Sequence, residues 1–123
     1  MYNDEITLCG ASAYEQKYYF NEDFASLPQG IQDELKIMCV LYTEDVGGVL
    51  TLLFDEEGNL ELRVDAEEND FAFDEIGSML KIKEIQRTKV DLLESLEMYY
   101  KVFFLGEGEL SEETQGKSVE EEK

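Results

Sequence analysis

The stretch from Val49 to Asp65, VLTLLFDEEGNLELRVD, constrains the fold more than any other part of the chain. Leu60, Leu62 and Val64 alternate with Glu61, Arg63 and Asp65, so one side of the segment is apolar and the other charged. Successive Cβ atoms of a pleated backbone point to opposite faces, so a period of two marks a strand with one wet face. Residues 49–54 are apolar on both faces apart from Thr51, which suits an inner strand covered on both sides. Between the two runs, Asp55-Glu56-Glu57-Gly58 suits a type I turn, with Gly58 in the left-handed conformation. A β-hairpin is therefore expected, with strands at about 48–54 and 60–65.

The acids around Gly58 also raise the question of calcium. An EF-hand loop needs glycine at its sixth position and glutamate six places later. Counted from Asp55, Gly58 stands fourth, so the register fails and the turn reading holds. No metal site is expected.

Upstream, a helix is expected at about 28–45. Ser26 precedes Gln29 by three places, a capping-box spacing, and Pro28 is tolerated in a first turn. Ile31, Leu35, Met38 and Tyr42 recur at helical intervals with Cys39 beside them, and Gly47 or Gly48 can end the helix. Residues 37–42 would also suit a strand beside 49–54; the lack of a breaker across 31–45 favours helix. A second, long helix is expected at about 74–105, closed by Gly106. Its stripe is Ile82, Ile85, Lys89, Leu92, Leu96, Tyr99 and Phe103, widened by Leu93 and Tyr100. Unbroken, it would be about 45 Å long, wider than a domain of this size, so it must bend or project. Gly77-Ser78 marks a bend near its start.

Residues 10–27 leave two readings open. Ser12 and Glu15 have another capping-box spacing, hinting at a short helix, whereas KYYF (17–20) suits a strand. The expected architecture is α+β, a small antiparallel sheet packed by two amphipathic helices in a single domain, residues 1–105. Residues 106–123, GEGELSEETQGKSVEEEK, carry too little apolar surface to offset ordering entropy and read as a disordered acidic tail.

Composition narrows the function. Thirty acids against ten bases give a net charge of −20, which repels nucleic acid and anionic membranes. No direct nucleic-acid binding and no membrane association are expected. No apolar run exceeds residues 37–42, and the start lacks a cationic segment followed by an apolar one, so a cytoplasmic protein is expected. The chain has no histidine, which removes Ser-His-Asp and Cys-His catalysis and the usual base near neutral pH. There is no P-loop, and Gly47-Gly48 lies between helix and strand, the reverse of the order that cradles phosphate. Neither catalytic residues nor a cofactor are expected, and an enzyme is not the reading. Cys9 and Cys39, thirty positions apart, match neither a redox pair nor a zinc spacing and are expected to be buried and reduced.

The candidates for contact are charged and aromatic. Residues 44–75 hold twelve acids and one base, Arg63; Lys81, Lys83, Arg87 and Lys89 then follow within nine positions. Approach of the basic stretch to the acidic one, within the chain or across a dimer, would be electrostatically steered. Lys89 lies on the helical stripe, where it either snorkels outward or sets the register of two meeting helices. Tyr99, Phe103 and Phe20 are assigned to the core, while Tyr18 and Tyr100 suit core and contact surface equally.

Taken together, LCGASAYEQKYYFN, LPQGIQDELKIMCVLYTEDVGG, DEIGSMLKIKEIQ and LEMYYKVFFLG resemble a small bacterial family, domain of unknown function 6145. The likeness runs from Ile6 to Gly106 and implies a bacterial cytosolic setting, with no activity, ligand or catalytic residue. Three functions remain in order: a non-enzymatic interaction or regulatory module, self-associating through its last helix or meeting another protein; a small-ligand-binding domain with a tyrosine-lined pocket; and an acidic nucleic-acid mimic.

Overall fold

The computed structural model describes residues 5–106. Four antiparallel strands form one sheet in the order β2-β1-β3-β4: β1 (Ile6–Ser12), β2 (Lys17–Phe20), β3 (Val49–Phe54) and β4 (Leu60–Asp65). The expected hairpin is present, with Val49 opposite Asp65 and Phe54 opposite Leu60. Its turn is organised by Asp55, whose Oδ1 accepts the N–H groups of Glu57 and Asn59, both at 2.9 Å. These bonds, that from Asn59 foremost, hold the Asp55 carboxyl below its usual range. Gly58 takes φ +89°, and a Cβ there would stand 2.8 Å from the Lys101 side chain. Both the backbone and the neighbour demand glycine.

Residues 10–27 resolve in favour of strand. Ser12 Oγ accepts the Glu15 N–H at 3.2 Å, so the capping-box spacing closes a turn between β1 and β2 and starts no helix. In β1, Thr7 pairs with Leu53 and Cys9 with Leu52, leaving Leu8 as the extra residue of a bulge. A 3₁₀ turn at Glu22–Phe24 then drops Phe24 into the core.

One face of the sheet carries Leu50, Leu52 and Phe54 against the helices. Leu53 points the other way yet is buried, on the face where Arg63 bridges Glu5 and Glu61. Helix α1 (Gln29–Val46) includes residues 37–42 and buries Leu35, Met38, Cys39, Tyr42 and Val46. The capping box at its start is not used. Ser26 bonds the Tyr99 hydroxyl instead, Pro28 takes the N-cap, and Gln32 donates to the carbonyls of Ala25 and Leu27.

The long helix expected at 74–105 is two helices, α2 (Glu75–Thr88) and α3 (Val90–Phe103), parted at Lys89 with φ −111° and ψ 28°. A straight rod would overrun a four-stranded sheet, about 15–20 Å across at 4.8 Å per strand. The Thr88 hydroxyl donates to the Glu84 carbonyl at 2.8 Å, a back-bond that favours a bend here. Gly77-Ser78 makes no bend. Asp74 Oδ1 caps the Gly77 N–H at 2.8 Å, and buried Ser78 bonds the Tyr42 hydroxyl. α3 buries Leu92, Leu96 and Tyr100, whereas Phe103, expected inside, is 71% exposed at the last position of the helix. The α+β class holds, with three helices in place of two. Of the expected acidic tail, all but Gly106 lies outside the described residues.

Candidate interaction surface

The basic cluster divides in two. Lys81 Nζ meets Asp45 at 3.0 Å and Lys89 Nζ meets Glu34 at 3.1 Å, so these two cations join α2 and the α2–α3 joint to α1. The Asp45 bond raises the Lys81 ammonium above its usual range. Asp45 belongs to the acidic stretch, so at Lys81 the two charge runs meet within the chain. Lys83 and Arg87 stand exposed, without an ion pair among the described residues. Lys89 stands at the joint between α2 and α3, its ammonium turned to Glu34 on α1.

The two tyrosines also part company. Tyr100 belongs to the core, stacked on Phe54 with centroids 4.3 Å apart and planes 5° from parallel. Tyr18, on edge strand β2, is half-buried. Its hydroxyl is fully buried with no hydrogen-bond partner among the described residues, though the Cys9 thiol lies close enough to affect its ionisation. Burial first, then Cys9, pushes the phenol far above its ordinary range. Cys9 and Cys39 meet at 4.0 Å, fully buried and reduced; the Cys9 contact and burial raise the Cys39 thiol. Beside Tyr18, between β1, β2 and α1, opens a cleft of about 740 Å³ that also reaches Lys17, Lys36, Val40, Thr43 and Glu44.

Exposed apolar side chains gather in the region leading into and along α2. Ile76, Met79 and Leu80 are 73%, 59% and 63% exposed, and Phe71 just upstream is 95% exposed. Phe71 does not hang from a slack loop. The Tyr14 hydroxyl donates to Asp70 at 2.7 Å and accepts the Glu67 N–H at 2.9 Å, and the Asp74 N–H reaches the Val46 carbonyl at 3.3 Å. Phe73 packs against Gly48, where any Cβ would fall 2.8 Å from the ring. Ile76, Met79 and Leu80 were absent from the stripe read from sequence. Their exclusion from it, beside a run of acids, was the available signal.

Chemistry inside this frame is sparse. Among the described residues no group of three or more acids or thiols is placed to hold a metal ion, and no helix is long and apolar enough to cross a membrane. A family model described as a family of unknown function (DUF6145) matches residues 5–108. No curated protein and no solved structure matches the chain.

Proposed function

The chain belongs to this family of unknown function, and from its surface we propose that it is a non-enzymatic module meeting a protein partner through the solvent face of α2. The exposure of Ile76, Met79 and Leu80 on one short helix carries this reading. Apolar side chains scattered singly over a surface need no explanation, but neighbours on one helix face are typical of association sites. The self-association expected of a long projecting helix loses that motive with the break at Lys89; what supports it now is the same α2 face. A photo-crosslinker at position 80, introduced in the native host, is expected to give protein adducts that the same group at position 57 in the hairpin turn does not. Equal yields from both positions would defeat the reading.

A second reading is favoured by the buried, unpartnered Tyr18 hydroxyl beside the β2–α1 cleft. Turned into the cleft, that hydroxyl would bond a small polar ligand, since buried polar groups are costly when unmet. Thermal-shift screening of polar metabolites is expected to raise the melting temperature, less so in Tyr18→Phe. A panel that moves neither protein removes this alternative.

A further inference from the structure

We propose that the partner of the α2 face is a second copy of this chain, docked antiparallel about a two-fold axis near Leu80; the proposal rests on the interaction reading above. Ile76, Leu80, Lys83 and Arg87 follow one another at steps of four, three and four, so they share one stripe of the helix, with Met79 at its margin. Charge along the axis of α2 and its approach is ordered. From position 64 to position 80 there are six acids and no base, ending in Asp74 and Glu75 at the start of α2. At the other end stand Lys83 and Arg87, which make no ion pair among the described residues, whereas Lys81 and Lys89 are engaged by α1. Along its axis α2 therefore runs from the acids flanking its first turn, through the apolar stripe, to Lys83 and Arg87, with Glu84 between them held 3.9 Å from Lys81.

Such an order is complementary to itself when reversed. Glu75 precedes Leu80 by five residues and Arg87 follows it by seven, about 7.5 and 10.5 Å along the axis at 1.5 Å per residue. A reversed copy sets Leu80 against Leu80 and brings each Arg87 within side-chain reach of the other copy's Glu75 and Asp74. Closed two-fold contacts of this kind are the commonest oligomeric arrangement. A partner of one charge sign fits less well, because it would meet like charge at one end of the stripe. Copies that each carry −20 repel at long range, but that repulsion is screened beyond about 8 Å at physiological salt, whereas contacts across the face are not. A face of 14 residues is about 21 Å long. That places the contact near the small, transient end of protein interfaces.

Light scattering and sedimentation of the full chain test this, with circular dichroism confirming that each variant is folded. Wild type is expected to pass from monomer to dimer across the micromolar range. Leu80→Ser, Glu75→Lys and Arg87→Glu are each expected to weaken the dimer at least tenfold. The double variant Glu75→Lys/Arg87→Glu, and an equimolar mixture of the two single variants, are expected to recover it, because reversal again pairs opposite charges. A wild type that stays monomeric at high micromolar concentration overturns the proposal, as does failure of both recoveries. Adducts from position 80 to a different protein, with a monomeric wild type, would leave the interaction reading standing and remove this one.

Discussion

Helices α2 and α3 have the same length, 14 residues, and meet at a single residue, yet they relate to the rest of the molecule in opposite ways. α3 is built into the core. Leu92, Leu96 and Tyr100 are buried, Glu97 accepts the Leu60 N–H at 2.7 Å, and Lys101 packs on the hairpin turn. α2 buries only Ser78 and Ile85, with Ile82 half-buried against the core, and adds two polar contacts to α1, the Tyr42–Ser78 bond and the Lys81–Asp45 pair. Stacked aromatics add about 0.5–1.5 kcal/mol beyond their area, whereas an exposed ion pair contributes about 0–1 kcal/mol. Equal helical length thus says little about how firmly a helix is held; what its buried side meets decides it.

The contrast breaks first at Tyr100. Tyr100→Ala is expected to cost about 3–5 kcal/mol in denaturant unfolding, as for other large buried aromatics, because it empties the stack on Phe54 and Phe104. A loss below about 1 kcal/mol would place α3 with α2 and dissolve the distinction. Gly58→Ala sharpens it from the hairpin side. Left-handed strain together with the crowding against Lys101 is expected to cost about 1–3 kcal/mol. The smallest effect belongs to the pins on α1. Glu34→Gln with Asp45→Asn is expected to lower global stability by no more than about 1 kcal/mol per pair, yet to speed hydrogen exchange in α2 well before α3. Equal acceleration in both helices would show them opening as one unit.

The parts legible in the sequence are those whose signal is local. Leu60, Leu62 and Val64 alternate over six residues, and Asp55 to Gly58 supply the turn, so the hairpin follows without knowledge of its neighbours. The unbroken helical spacing from Ile31 to Tyr42 gave α1 in the same way. Where one spacing serves two structures the sequence misleads: Ser12 and Glu15 fit a capping box and a turn alike, and only pairing with β3 chooses. The break at Lys89 was hidden because apolar spacing of three and four continues through it. Phe103 shares the helical angle of Leu92 and Leu96 yet is exposed as the last residue of α3, because how far the core reaches along a helix is something no local pattern carries. Of the contact candidates, Lys83 and Arg87 lie on the open face and Lys81 and Lys89 do not, because their acidic neighbours on α1 are distant in sequence.

Among the described residues the strand order leaves β2 and β4 as unpaired borders of the sheet. Such borders invite stacking into fibres. Here one is only four residues long and begins with Lys17, and the other alternates Glu61, Arg63 and Asp65 along its outward side. An approaching strand would have to bury those charges to add itself. The sheet therefore ends where it does by repelling extension, and concentrated solutions of this protein should stay free of ordered aggregates even where its helices find one another.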